Sequence, residues 1–247
     1  MITVDTVRIF NKKTEYPESL LKEFGYIEDI ASADIAAAKT KGYRVFNDSY
    51  PTLKEWYENL MIIPSKERVN NLLFIDTETN RLNGYIVSIA MIEYDLKNQK
   101  IVDKFYVEVN PQEQIEEEAA SVHKITEDKI KDAPTFEEIE KEVSKRIEKS
   151  DLIVAFNAIY DIGVLIREYE RLGKKMPEFY FLDLMTKLKT IVNAKTTNNR
   201  LKNATLEEAA TFFGIASAEN ELHNSLYDTE ILLLVFEKAL QKIMSQN

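Results

Sequence analysis

The stretch Asn71-Leu72-Leu73-Phe74-Ile75-Asp76-Thr77-Glu78-Thr79 decides the fold. Leu72–Ile75 is a short, continuously apolar run, the pattern of a strand buried on both faces. Asp76 and Glu78 follow it directly. Residues two apart on a strand point to the same face, so both carboxylates share one face at the end of this strand. Open α/β sheets place their ligands at such strand ends. A lone Asp-x-Glu could equally be a solvated strand end.

Working outward, Tyr85–Tyr94 and Ile101–Val109 read as further strands around the polar turn Lys97-Asn98-Gln99. With the first strand they form an antiparallel meander. Thr135-Phe136-Glu137-Glu138 has the form of a capping box and opens a helix to about Lys149. Leu152–Phe156 is another buried strand, Ile159–Leu172 an amphipathic helix stopped near Gly173, and Tyr180–Leu182 a short strand. Thr205-Leu206-Glu207-Glu208 opens a second capped helix ending at Gly214, and Leu226–Ile243 is the last helix. This order predicts a mixed α/β sheet with a meander on one side and crossover strands on the other.

Upstream, residues 1–63 are set apart as an N-terminal extension. Ile2-Thr3-Val4 begins like a strand, and Glu18–Phe24 and Pro51–Leu60 look helical. A connector, Ile62-Ile63-Pro64-Ser65-Lys66-Glu67-Arg68, leads into the second unit, residues 64–247.

Composition narrows the function classes. Cys 0 excludes a disulfide scaffold, a thiol nucleophile and any thiolate-ligated metal, and fits a cytoplasmic protein. No apolar window is long enough to span a membrane, and the N-terminus lacks a signal-peptide pattern. The formal net charge is −10, so the average field repels phosphate. A nucleic-acid enzyme of this charge needs metal ions or a local basic strip. His 2 leaves only His123 and His223 for any imidazole chemistry.

Further carboxylates stand where chemistry could use them. Asp161 follows the strand end Val154–Ala158 and opens a helix, where a helix dipole alone would also favour an acid. His223 precedes the last helix and Asp228 lies in its first turn. Ser225-x-x-Asp228 could simply be a capping box.

As a set, these pieces resemble the DEDDh family of 3′→5′ exonucleases, the DnaQ-like group that includes the proofreading subunit of bacterial replicative DNA polymerase. The resemblance runs from about Asn71 to the C-terminus. It rests on Phe74-Ile75-Asp76-Thr77-Glu78-Thr79, on Asn157-Ala158-Ile159-Tyr160-Asp161 and on His223-Asn224-Ser225-Leu226-Tyr227-Asp228. Val122-His123-Lys124-Ile125-Thr126 looks like the family's Val-His-Gly-Ile-Thr segment. The chain departs from the family at Asn80-Arg81 for Thr-Gly, Phe156 for His, Ser225 for Ala and Lys124 for Gly. None of these changes touches the four carboxylates or the histidine.

The resemblance implies a ribonuclease H-like fold with a five-stranded mixed sheet flanked by helices. It implies that Asp76, Glu78, Asp161 and Asp228 hold two Mg²⁺ or Mn²⁺ ions and that His223 is the general base. All-oxygen ligation suits these hard cations. Two such ions can clamp the attacking and leaving oxygens of a phosphodiester, and an imidazole can accept the water's proton near neutral pH. Thr79, Leu82, His123 and Asn157 are expected at the substrate, with Leu82 against the terminal base or in the core. His123 is alternatively a solvent-exposed residue beside a helix start. The stretch Lys187–Lys202, with Lys195, Arg200 and Lys202, is basic and acid-free; its polar centre Lys195–Asn199 reads as a mobile loop, and the stretch either guides phosphates or is merely solvated.

The expected activity is release of nucleoside 5′-monophosphates from single-stranded DNA 3′ ends, in proofreading or repair. RNA ends, as for ribonuclease T and oligoribonuclease, are the alternative, and a catalytically silent binding module is another. Residues 1–63 could dock a polymerase or another partner.

Overall fold

A computed structural model of the protein describes residues 69–177, 179–216 and 223–244. The expected N-terminal extension, residues 1–63, and the connector up to Arg68 lie outside the described residues. The strands are β1 (Asn71–Thr79), β2 (Ile86–Asp95), β3 (Lys100–Glu108), β4 (Leu152–Ala155) and β5 (Phe181–Asp183). The helices are α1 (Glu117–His123), α2 (Glu127–Ile130), α3 (Phe136–Lys149), α4 (Ala158–Arg171), α5 (Leu184–Val192), α6 (Leu206–Phe212) and α7 (Ser225–Met244).

The strands form one mixed sheet in the order β3-β2-β1-β4-β5. β1 pairs antiparallel with β2 and parallel with β4, so it sits at the centre where strand direction switches. Its alternation divides the core. Leu73 and Ile75 pack with Phe136, Ile139 and Val143 of α3 and with Ile159 and Ile162 of α4. Leu72 and Phe74 face the other way, against Ile231, Leu232, Val235 and Phe236 of α7, with Phe74 edge-on to the Phe236 ring at 5.2 Å. The face of α7 is therefore the face that Asp76 and Glu78 inherit, two and four residues beyond Phe74.

Register then opens the site. β4 pairs with β1 only as far as Phe74↔Val154, and it ends at Ala155, whereas β1 runs on to Thr79. The last part of β1 thus loses its neighbour on one side, and the N-terminus of α4 fills the gap.

Both capping boxes are present. Glu138 accepts from Thr135 N–H at 2.7 Å, and Thr205 exchanges bonds with Glu208 at 2.8 and 3.1 Å. The left-handed stops at Gly173 and Gly214 follow, with φ of 65° and 70°. Three helices were absent from the sequence reading: α1, α2 and α5. α1 and α2 are too short to show a helical apolar period, and α5 begins directly on the last residue of β5 with no separating turn. The Lys195–Asn199 segment, expected as a loop, forms the turn of a short hairpin. Lys195 pairs with Leu201 across an antiparallel bridge, and Thr196 N–H donates to Arg200 O at 2.8 Å, closing a hairpin.

Candidate active site

Asp76 and Glu78 project towards the start of α7 from the end of β1, which β2 still pairs but β4 does not. Asp161, in the first turn of α4, enters from the gap beside β1. The Thr77 N–H and hydroxyl both donate to its Oδ1, at 3.0 and 2.8 Å. β1 thereby presents two acids on one face and positions a third through the residue between them.

The start of α7 supplies the fourth acid. Asn224 caps the helix, its Oδ1 accepting from Leu226 N–H and Tyr227 N–H at 3.1 and 3.2 Å. Ser225 and Asp228 do not form the capping box that their spacing allowed. Asp228 Oδ2 instead reaches back to accept the backbone N–H of His223 at 2.9 Å, and His223 adopts a left-handed φ of 66°. This hook fixes the turn that carries the imidazole. Ser225 is fully buried and shares a hydrogen bond with Ser88 Oγ at 2.9 Å. Ser88 lies opposite Glu78 on β2, so the serine that replaces the family alanine has a partner beside the acids.

One ligating atom each from Glu78, His223 and Asp228 lie within 4.8 Å of one another. The remaining acids join them electrostatically. Burial raises Asp76 well above the usual carboxylate range, and Asp161, Glu78 and Asp228 push it the same way. Burial, with Asp228 and Asp161 adding repulsion, raises Glu78 to about 8. Burial also raises Asp161 to about 7 against the opposing bonds from Thr77. Asp228 rises to about 6 for the same first reason, opposed by the His223 backbone bond. Among the described residues, Asp228 Oδ1 is buried without a hydrogen-bond partner. Crowded acids with an orphaned, inward oxygen make a favourable seat for a hard cation, whose charge offsets both burial and repulsion. The donor set fits Mg²⁺ or Mn²⁺.

Other residues singled out in the sequence divide. Leu82 is 63% exposed, so it is not core; it stands on the loop just past the acids. His123 is not solvent-exposed. It closes α1 in a buried position, its Nδ1 accepts from Ile125 N–H at 3.0 Å, and its Nε2 lies 3.2 Å from Thr79 O. With Nδ1 accepting, Nε2 carries the proton and donates, and burial lowers the ring's affinity for a second proton. The Thr79 side chain is buried too. Tyr160 OH lies 2.6 Å from its hydroxyl, which donates to Arg81 O at 2.8 Å. Both residues brace the loop from within the chain. Asn157 caps α4 from a left-handed φ of 73°. Its N–H donates to Asp183 Oδ1 at 3.1 Å. Phe156, where the family has His, packs against the α7-side core. Lys195 and Arg200 are exposed on the hairpin, while Lys202 pairs with Glu208 at 2.7 Å.

Sequence reasoning missed Thr77 and Asp183, whereas Asn224 was one of the two residues, with Ser225, that could cap the last helix, and it is the one that does. Thr77 was hidden because it faces away from the acids on either side of it. Asp183 had a readable signal, since it directly follows the predicted strand Tyr180–Leu182 as Asp76 follows Leu72–Ile75; it is buried, and its charge adds to the repulsion on Asp161.

Comparison with known proteins bears on family and fold. The model of the exonuclease family of the ribonuclease T type matches residues 73–236. The PolC-type DNA polymerase III of Staphylococcus haemolyticus (strain JCSC1435) is 30% identical over 169 residues. That alignment covers 68% of this chain but 11% of the polymerase, so the chain spans about a tenth of that relative. The same holds for the polymerase of Staphylococcus aureus strain MW2. Among solved structures, exonuclease X in complex with 5′-overhanging duplex DNA aligns with a TM-score of 0.53 at 24% identity, over 69% of this chain and 92% of its own. The nuclease domain of 3′hExo, a DEDDh family member bound to rAMP, aligns with a TM-score of 0.58 at 16% identity, over 70% and 93%. These likenesses show the same ribonuclease H-like fold. On the family match, this chain belongs to the ribonuclease T-type exonucleases and is a DnaQ-like 3′→5′ exonuclease.

Proposed function

We propose that this protein is a divalent-metal-dependent 3′→5′ exonuclease that releases nucleoside 5′-monophosphates from single-stranded DNA ends. The observation that carries this reading is the convergence of Asp76, Glu78, Asp161 and Asp228 beside an exposed imidazole, His223. Two Mg²⁺ or Mn²⁺ ions held by these carboxylates would supply the Lewis-acid charge that neutralises the scissile phosphate. His223 accepts the proton of the attacking water. The water oxygen bonds to phosphorus, the P–O3′ bond breaks with its electron pair passing to O3′, and O3′ takes a proton from solvent to become the 3′-hydroxyl of the penultimate nucleotide. The hook from Asp228 to His223 N–H keeps the base over the acids during this exchange. Leu82 offers an apolar face to the terminal base, Asn157 orders the start of α4 beside the strand, and Lys195, Arg200 and Lys202 attract upstream phosphates.

DNA is favoured over RNA by the similarity to PolC-type polymerases. Proofreading or repair, and docking of a polymerase through residues 1–63, belong to the same proposal, as does an independently folding unit over 64–247. Incubation with 5′-labelled single-stranded DNA and RNA, with Mg²⁺, Mn²⁺ or EDTA, tests it. Stepwise shortening of DNA with metal is expected. Equal shortening in excess EDTA overturns the metal mechanism, and faster loss of RNA overturns the DNA assignment.

A further inference from the structure

The family departure at Asn80-Arg81 begins a loop, residues 80–85, that is held from one helix in a way the chemistry does not require. Asn80 is fully buried. Its N–H donates to Tyr85 O at 2.9 Å, its Oδ1 accepts from Tyr85 N–H at 2.7 Å, and its Nδ2 donates to Gln114 O at 2.8 Å. The loop closes so tightly that a Cβ on Gly84 would lie 2.1 Å from Asn80 Oδ1 and 2.9 Å from Arg81 O. Leu82 is the one large apolar side chain that this closed loop turns outward, at 63% exposure.

Three residues near the end of α4 grip the loop. Arg167 Nη1 donates to Gly84 O at 3.1 Å. Glu168, which has no exposed surface, accepts the N–H of Ile86 at 2.9 Å, the first residue after the loop. Arg171 pairs with Glu168 at 2.7 Å, stacks its guanidinium 4.2 Å above the Tyr85 ring and donates to Pro111 O at 2.8 Å. α4 also carries Asp161 in its first turn. One rigid helix therefore sets both an acid of the site and the position of Leu82.

We propose that Arg167, Glu168 and Arg171 are positioning residues that hold the 80–85 loop so that Leu82 meets the 3′-terminal base at a fixed distance from the acids. The inference rests on the exonuclease reading of the site. A loose loop would still let phosphate reach the carboxylates, so the clamp acts on capture of the end and not on bond breaking. An uncharged, buried tether would hold the loop as well for stability alone. The arginine fork adds direction, because stacking and two donors fix the plane of Tyr85 and the Pro111 carbonyl together.

The test is a double-mutant cycle on metal-activated hydrolysis of single-stranded DNA, with circular dichroism confirming the fold of each variant. Arg171→Ala and Leu82→Ala should each raise KM roughly five- to tenfold with kcat changed by less than about twofold, the signature of lost uniform binding. Arg171→Lys should resemble Arg171→Ala, since lysine keeps the charge but not the fork or the stack. The double variant should be no worse than Leu82→Ala alone, because the arginine acts through the leucine. Arg167→Gln provides a second entry to the same cycle if Arg171→Ala unfolds. Multiplicative effects in the double variant, or a fall in kcat with KM unchanged, would overturn the clamp while leaving the exonuclease reading intact. A wild-type protein that cleaves no DNA with either metal would overturn both.

Discussion

The two histidines differ by their surroundings, not by their ring. His223 is exposed beside Glu78 and Asp228, whereas His123 has both nitrogens engaged inside the chain. His223→Ala should lower turnover by roughly 10²–10⁴, the usual worth of a positioned base. The rise in Tm on adding Mn²⁺ should survive, because the carboxylates remain; its loss would make His223 a ligand instead. His123→Ala should act mainly on stability, lowering Tm by leaving Thr79 O and Ile125 N–H without their partner. If His123→Ala reduces kcat more than His223→Ala at a temperature where both are folded, the roles are reversed.

At the scale of elements, Lys124 caps the C-terminus of α1 and holds φ at 60° where the family has Gly. A left-handed conformation costs a non-glycine residue about 1 kcal/mol, so Lys124→Gly should raise stability by roughly that amount, measured by urea unfolding. Its surface Nζ–Ser121 contact is a minor loss. A lower midpoint would mean that this contact outweighs the strain.

The hairpin around Lys195 makes the second element-scale claim. Its backbone order means that Lys195 and Arg200 are presented at fixed places. Replacing Lys195, Arg200 and Lys202 by Gln should weaken long single strands and flatten the salt slope by about 0.7 per lost phosphate contact. Lys195 and Arg200 should carry most of it, since Lys202 already serves Glu208. Dinucleotide cleavage should change little. An unchanged slope returns the hairpin to an ordinary solvated turn.

For the whole molecule, the acid cluster sets the pH dependence. Glu78, Asp161 and Asp228 have folded values of about 8, 7 and 6, all above their unfolded ones, and buried Glu168 also rises to about 7. The folded state therefore binds more protons. This stabilisation is complete below the unfolded carboxylate values near 4 and is lost as pH climbs through the folded ones. In EDTA, Tm should fall between about pH 5 and 8, and Mg²⁺ or Mn²⁺ at the upper end should restore it. Asp76→Asn or Asp228→Asn should abolish hydrolysis yet raise the metal-free Tm at pH 8. A metal-free Tm that climbs across this window contradicts the picture of a repelling, buried cluster.

The sequence by itself determined the elements whose signal is local. Apolar runs marked β1 and β4, capping boxes fixed the starts of α3 and α6, and glycines stopped α4 and α6. It also placed Asp76 and Glu78 on one face, because strand geometry has a period of two residues. Only the tertiary structure decided which groups meet. Thr77 reaches Asp161 across 84 residues because β4 stops short beside β1. Asp228 hooks His223 instead of capping its helix because Asn224 already fills the cap. His123 is buried because the end of α1 packs against Thr79, which no spacing in the sequence expresses. Those outcomes depend on where separate elements end relative to one another, and that is a property of the packed sheet and not of any segment of the chain.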